Sequence, residues 1–386
     1  MRLLLPLTAG VAALALGAPM AAQAQGTLPA TAMHDARFDR FTPKADPVTT
    51  RIDYSIWDDA LGFMVFRMGR SIREGAPSVD PSMGTRRIYG HDSRLRLEGN
   101  RVVFSFLEDN VIQSLVDYKQ DLEQTADKVD IASLSRNEQL AFWINLHNVS
   151  VMAKIAEDYP LSQPSRMKIG SENLPLDEAP FITVNGVAMS PKDIRTKIVY
   201  PNWKNPKVMY GFWRGEIGGP SIRDVAFTAA NVGELLDESA REFVNALRGT
   251  EKRGKTLHVS KIYEEAAPFY FANWQPDLTA HLSQYANAEV KAEIGETSEA
   301  KASIYEYAVA DLANGEREPS YSNVVETDAN GDQVSKSFRI PGNVQRLVTE
   351  RAQKINKIIR RGERTGTVTF IGIDLPGEEN QPEQVE

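Results

Sequence analysis

Three side chains in this sequence could together perform acid–base and nucleophilic chemistry: His147, Glu216 and Ser221. Histidine exchanges protons near neutral pH, and a carboxyl group does so once its surroundings raise its pKa. A serine hydroxyl becomes a nucleophile when a base takes its proton. One hypothesis is therefore that these three residues are catalytic, which requires the fold to bring them together.

A glycine-rich stretch over residues 213–223, WRGEIGGPSIR, contains two of these residues. A strand that leads into such a turn can present backbone N–H groups to an anion or an oxyanion. The candidates for ligand binding in this stretch are Arg214, Gly218, Gly219 and Arg223. In the alternative interpretation the stretch is only a tight connection, with positive φ at its adjacent glycines, Gly218 and Gly219.

His147 lies in the most apolar part of the chain, residues 136–158, where apolar side chains would surround a helix on nearly all sides. Such a helix is buried at the centre of a domain. Asn145 and Asn148 share it, and buried polar groups are costly without partners. We favour a structural network in which the amides hold neighbouring loops. The alternative is a general base oriented by an amide, with both asparagines binding a ligand.

Composition excludes several other classes of protein and site. The chain has 386 residues, 44 Lys+Arg against 52 Asp+Glu and a net charge of −8, which argues against nucleic-acid binding. It contains no cysteine, so disulfides and thiolate sites are excluded. No two histidines lie three or four residues apart, and no phosphate-binding or dinucleotide motif occurs. We therefore expect neither a metal nor a cofactor.

The first 24 residues resemble a secretory signal. Arg2 is followed by an apolar run over residues 3–16, and Ala22-Gln23-Ala24 provides the small residues of a cleavage site. The run is shorter than the roughly 20 residues that span a bilayer. We expect cleavage near Ala24 and a periplasmic or secreted mature chain without a transmembrane segment.

Sequence patterns predict a mixture of helices and short strands. The predicted helices cover residues 53–68, 110–126, 136–158, 231–248, the segment from Lys261, most of 277–312, and 344–361. The predicted hairpins cover residues 94–107, the turn at Asn185-Gly186, and 322–340. The predicted single strands cover residues 208–212, 257–259 and 366–374. This pattern indicates an α+β fold, largely helical around a central buried helix, with short antiparallel strands.

The same patterns suggest a division of the chain. The predicted parts are a signal peptide over 1–24, an extended lead-in over 25–51, an α+β domain over 52–275, a helical and hairpin extension packed on it over 276–376, and an acidic flexible tail over 377–386.

Residues 138–148, EQLAFWINLHN, resemble the AFWINLYN signature of the DUF547 family. The resemblance extends over about residues 110–272, and it implies an exported, proteobacterial-type member of a family whose function is unassigned. It also implies a distant similarity to papain-like and transglutaminase-like folds. Asn145 and Asn148 carry over from the family motif. Relatives commonly have a histidine where this chain has Met209 and a Ser-Cys-Pro cysteine where it has Gly219.

Methionine and glycine supply neither a base nor a nucleophile, so a cysteine-hydrolase mechanism does not transfer to this chain. We expect an exported protein that binds a small ligand or an envelope protein in a cleft between the helix over 136–158 and the turn over 216–223. One alternative is an envelope hydrolase or transferase with chemistry rebuilt around His147, Glu216 and Ser221. Another is a structural scaffold of the envelope.

Overall fold

The computed structural model describes residues 35–78, 90–317, 324–327, 333–336 and 341–362. The predicted signal peptide, the strand predicted over 366–374 and the acidic tail over 377–386 lie outside the described residues. None of the helices in the described part of the chain combines the length and apolar character that crossing a membrane requires.

The fold is α+β, as the sequence predicts. The longer helices are α1 (Ser55–Met64), α2 (Asp109–Lys128), α3 (Arg136–Glu157), α6 (Val232–Val244), α7 (Ile262–Tyr270), α8 (Trp274–Tyr285), α9 (Ala288–Gly295) and α10 (Gly342–Arg360). A continuous helical segment consists of α4 (Pro191–Asp193), a π-helical turn (Ile194–Val199) and α5 (Tyr200–Asn202).

The strands are short and form small sheets. They are β1 (Val65–Phe66), β2 (Arg101–Val102), β3 (Ile182–Val184), β4 (Val187–Met189), β5 (Thr250–Arg253), β6 (Thr256–Ser260), β7 (Glu299–Ile304), β8 (Val324–Thr327) and β9 (Gln333–Lys336). The pairs β1–β2, β3–β4, β5–β6 and β8–β9 are antiparallel, whereas β6–β7 is parallel.

Helix α3 is the centre of the core, which confirms the prediction of a central buried helix. Eighteen of its 22 residues are buried. The side chain of Ser135 caps its start by accepting the N–H of Glu138 at 3.3 Å. Its end precedes Tyr159-Pro160, because proline biases the residue before it away from helix.

Most of the other predicted elements are confirmed. Helices α1, α2, α7 and α10 occupy their predicted segments, and β8 pairs with β9 as the predicted hairpin requires. The β3–β4 hairpin turns at Asn185 and Gly186, whose φ angles of 48° and 74° suit a two-residue turn.

The hairpin predicted over residues 94–107 is wrong, because a buried arginine reorganises this segment. Residues 94–97 form tight turns. The guanidinium of Arg101 donates at 2.7 Å to each of three carbonyls, those of Arg96, Glu98 and Gly99. These carbonyls bond Arg101 instead of an opposing strand, and β2 pairs with β1.

The strand predicted over residues 208–212 is also wrong, although the segment is buried as expected. Residues Pro206–Gly211 form a 3-10 helix. Its start is set by Pro206, whose φ suits a first helical position, and by Asn205, which accepts the N–H of Lys207 at 3.0 Å.

The mostly helical segment predicted over 277–312 contains α8 and α9 but continues as a strand. There β7 lies parallel to β6. The hydrogen bonds of this sheet satisfy the backbone of β7, although its alanine-rich sequence would otherwise favour a helix. The helix predicted over 231–248 ends earlier, at Val244, and Asn231 accepts the N–H of Thr228 at 2.7 Å rather than forming the expected capping box.

Two observations bear on the predicted division at residues 275 and 276. The boundary falls inside α8, and β7 from the extension joins the sheet of β5 and β6. Helix α10 also contacts earlier parts of the chain, since Lys354 Nζ donates to the carbonyl of Leu97 at 2.7 Å. The division into domains stays a prediction.

The glycine-rich turn is held against the segment that follows β7. Gly215 has a positive φ of 80°, whereas Gly218 and Gly219 do not, contrary to the sequence-based expectation. The N–H of Ile217 donates to the carbonyl of Ala308 at 2.9 Å, and that of Gly218 donates to Glu306 at 2.8 Å. These two backbone donors are therefore occupied within the fold and do not face an anion.

A side chain at Gly218 should disrupt this pairing, whereas one at Gly219 should not. A Cβ at Gly218 would lie 2.3 Å from the backbone nitrogen of Glu306, but at Gly219 the nearest atom would be 3.5 Å away. We expect Gly218→Ala to lower the free energy of unfolding by about 1–3 kcal/mol. Gly219→Ala should change it by less than about 0.5 kcal/mol. Urea unfolding of both variants tests this, and equal losses would contradict it.

Candidate functional site

The asparagines of α3 clamp the two loops that border the helix. Asn145 donates to the carbonyl of Phe227 at 2.7 Å and accepts the N–H of the same residue at 3.1 Å. Asn148 donates to the carbonyl of Gly211 at 2.9 Å and accepts the N–H of Trp213 at 3.0 Å. This is the loop-holding network favoured from the sequence. A role of either asparagine in ligand binding stays a prediction.

His147 is completely buried and both of its ring nitrogens have partners. Nδ1 lies 3.0 Å from Oδ1 of Asn148, and Nε2 lies 3.0 Å from Nη1 of Arg195. A guanidinium only donates, so Nε2 is the acceptor and Nδ1 carries the proton. Burial, assisted by the charge of Arg195, lowers the pKa of His147 to about 3. The ring is therefore neutral, and Arg195 occupies the lone pair that a general base would use.

Arg195 is the centre of a buried cluster of charges, which we call the Arg195 cluster and which comprises Arg195, His147, Asp177, Arg214 and Glu265. Its Nε and Nη2 donate to the two carboxylate oxygens of Glu265, both at 2.9 Å. Its Nη1 and Nη2 donate to those of Asp177 at 2.8 and 2.6 Å. With the bond to His147, all five N–H groups of Arg195 are paired.

The cluster approaches the surface on one side. The side chain of Arg195 is completely buried, whereas those of Glu265 and Asp177 are 17% and 39% exposed. Burial opposes the ionisation of both carboxyl groups. The charge and hydrogen bonds of Arg195 more than offset it, so their pKa values lie below the usual range. Two carboxylates thus accompany two arginines.

Arg214, one of the ligand-binding candidates, is joined to the cluster through Glu265. Its Nη2 and Nη1 donate to Glu265 at 2.7 and 3.3 Å, and its side chain is 14% exposed. A guanidinium has five N–H groups, so three have no partner among the described residues, and the buried Nε is one of them. Arg214 differs in this respect from Arg195, in which every donor is paired.

Glu216 lies next to the cluster and is buried. Its Oε1 accepts the N–H of Ser165 at 3.0 Å, and Tyr305 acts on its pKa. Burial raises the pKa of Glu216 to about 7, and the negative charge of Asp177 adds to the effect of burial. The carboxyl group therefore changes its charge near neutral pH, as a general acid or base does.

Ser221 belongs to a different group of side chains. Its Oγ accepts the N–H of Asn100 at 3.2 Å and one from Arg248 at 2.9 Å, and it donates to Glu242 at 3.2 Å. Arg223 pairs with Glu238. The three side chains predicted to be catalytic thus have separate partners, and none bonds another. Their catalytic assignment stays a prediction.

Residues 131–244 match the model of a family described as "Protein of unknown function, DUF547". This part of the chain is a DUF547 domain. No curated protein and no solved structure gives a significant match to the chain.

The DUF547 domain contains α3, Arg195 and Arg214, but the cluster is completed from outside it. Glu265 on α7 follows the matched residues, and so does Tyr305, which acts on the pKa of Glu216. The structural unit that builds this site is therefore longer than the family match.

Sequence reasoning missed Asp177, Arg195 and Glu265. Their separations along the chain follow no local spacing, because the three meet only in the folded state. One signal was present: Arg195 lies beside Ile194 and one turn before Ile198. An arginine at a core-facing position of a helix needs partners.

Side chains suited to hold a metal do not converge at this site. In residues 35–78, 90–317 and 341–362 no three histidine, aspartate or glutamate side chains are grouped so that they could bind a metal ion.

Removal of the Arg195 guanidinium should destabilise the domain strongly. Arg195→Met leaves two carboxylates in the cluster without their main partner, and we expect a loss of about 3–5 kcal/mol in the free energy of unfolding. The matched control is Lys192→Met, because Lys192 forms an exposed pair with Glu178 at 3.0 Å. This variant should lose less than about 1 kcal/mol. Denaturant unfolding of both variants distinguishes them, and a loss of similar size would refute the central role of Arg195.

Proposed function

We propose that the DUF547 domain of this chain binds a ligand at Arg214 of the Arg195 cluster, between α3 and the glycine-rich turn. The observation that carries the proposal is the pairing of Arg214, which uses two of its five N–H groups. A buried donor without a partner costs free energy, and an acceptor on a ligand would recover it.

The surroundings of Arg214 suit a preformed site. Glu265 holds the guanidinium of Arg214 in place and is itself held by Arg195. A side chain fixed in this way loses little conformational freedom on binding, which favours affinity. Asp177, at 39% exposure, provides acceptors on the same side.

The glycine-rich turn supports binding through side chains rather than through backbone donors. The N–H groups of Ile217, Gly218 and Gly219 donate to carbonyls of Ala308, Glu306 and Glu216. A ligand at this turn would therefore use Arg214 as its donor. Gly218 would contribute through the close packing of the turn against Glu306.

A thermal-shift experiment with four simple probes tests the proposal. Propionate, inorganic phosphate, putrescine and glucose represent an acid, an oxyanion, a cation and a neutral polyol. We expect at least one probe at millimolar concentration to raise the Tm by about 1–3 °C. Arg214→Gln should abolish this increase.

The matched control is Arg94→Gln, because Arg94 forms a two-bond pair with Glu251 at 2.7 and 3.0 Å on an exposed surface. It should respond to the probes as the unmodified chain does. The proposal fails if no probe raises the Tm, or if Arg214→Gln responds to the same extent.

We also propose that the chain is exported, on the support of the charged, apolar and small-residue segments within residues 1–24. Expressed in a bacterial host, the chain should be recovered outside the cytoplasm with Gln25 as its first residue. Leu14→Arg interrupts the apolar run and should retain the chain in the cytoplasm, whereas Leu14→Ile should not. N-terminal sequencing of the fractions tests this, and a cytoplasmic chain that begins at Met1 would contradict it.

A further inference from the structure

We infer that the ligand of the Arg214 site carries a carboxylate, which binds side-on to the Nε edge of the guanidinium. The inference rests on the proposed function and names the chemical class of its ligand. Two sources can supply this group, a free organic acid and the C-terminus of a peptide.

The two arginines of the cluster show what such an edge binds. A guanidinium has an end-on edge formed by its two Nη atoms and a side-on edge formed by Nε and one Nη. Arg195 places a carboxylate on each edge: Asp177 receives bonds from Nη1 and Nη2, and Glu265 from Nε and Nη2. The arrangement demonstrates that one guanidinium here accommodates two carboxylates.

Arg214 uses only one of these edges within the described protein. Its Nη1 and Nη2 both donate to Glu265, which therefore occupies the end-on edge. Its Nε is buried without a partner. The side-on edge thus presents two parallel N–H groups, and this geometry matches the two oxygens of a carboxylate.

A second buried donor interacts electrostatically with Arg214. The hydroxyl of Tyr200 is buried and has no partner among the described residues. Burial raises the pKa of Tyr200 beyond its usual range, and the charges of Glu265 and Arg214 both act on it.

The charge balance favours a single negative charge over a double one. The charges of Arg195 and Arg214 are already balanced by those of Asp177 and Glu265. A carboxylate adds one negative charge and gains two hydrogen bonds. A phosphate dianion would add two charges beside three acidic side chains.

The ionisation of Glu216 provides a test of this charge balance. The charged and titratable groups around it are Asp177, Tyr305 and Arg214, together with the N–H of Ser165. Ionised Glu216 adds a negative charge near the site, so a carboxylate should bind more tightly at pH 6 than at pH 8. Glu216→Gln removes this change of charge and should make binding independent of pH over that range.

Titration calorimetry at pH 6 and pH 8 tests the inference with four probes: propionate, N-acetyl-Ala-Ala, its C-terminal amide, and inorganic phosphate. We expect binding of one or both free carboxylates, with no binding of the amide at either pH and none of phosphate at pH 8, where it is mainly a dianion. Binding of propionate indicates a free acid, and binding of the peptide alone indicates a chain terminus. Arg214→Lys keeps the charge but removes the side-on edge, and should weaken binding at least about tenfold.

Each of the other outcomes contradicts the ligand class, the binding function or the side-on geometry. If phosphate, putrescine or glucose binds through Arg214, the carboxylate class is wrong while the proposed function stands. If none of the probes of the two experiments binds, both the carboxylate class and the proposed function are wrong. If Arg214→Lys binds a carboxylate as tightly as the unmodified chain does, the side-on geometry is wrong. Circular dichroism of each variant establishes that it is folded.

Discussion

The burial of the Arg195 guanidinium is the constraint on which the site depends. A buried charge is tolerated only with full compensation, and this one has five donors to satisfy. The compensation comes from His147 on α3, from Asp177 before β3 and from Glu265 on α7. Segments distant in sequence must therefore meet at one point, and their relative positions follow from the planar geometry of a single side chain.

Helix α3 extends this constraint to the glycine-rich turn. Oδ1 of Asn148 accepts a hydrogen bond from Nδ1–H of His147, and the same side chain bonds the backbone of Gly211 and Trp213. The residue after Trp213 is Arg214, so the amide that orients the histidine also fixes the start of the candidate site. This arrangement gives His147 a structural explanation, because its two nitrogens join the charge cluster to the asparagine clamp.

The sequence predicts the central helix well because its signal is local and redundant. Apolar residues on nearly all sides of the helix over 136–158 indicate that the whole helix is buried. Asparagines on a buried helix must then have hydrogen-bond partners. The segments at 94–107 and 206–211 are predicted wrongly for a tertiary reason. Arg101 bonds three carbonyls of one segment, and Pro206 starts a tight helix in the other. Neither effect has a periodic signal.

Only part of the candidate site could be predicted. Arg214 and Glu216 lie in a glycine-rich stretch, a pattern that indicates a candidate binding turn. Asp177 and Glu265 have no such pattern around them and resemble ordinary surface acids in the sequence. Their importance arises from a partner that is distant along the chain, so no spacing rule identifies them. The sequence suggests a positive φ at Gly218, but the structure requires a glycine there because Glu306 approaches closely.

The division of roles between two arginines explains how one cluster can be both rigid and able to bind. A guanidinium with every donor paired, such as Arg195, gains nothing from a ligand and stabilises the fold. A guanidinium held by one carboxylate, such as Arg214, is oriented by that carboxylate and retains donors for another acceptor. Because Glu265 bonds both, the same carboxylate that completes the structural arginine also positions the one proposed to bind a ligand. The cluster is thus an extension of the core and does not involve Met209 or Gly219.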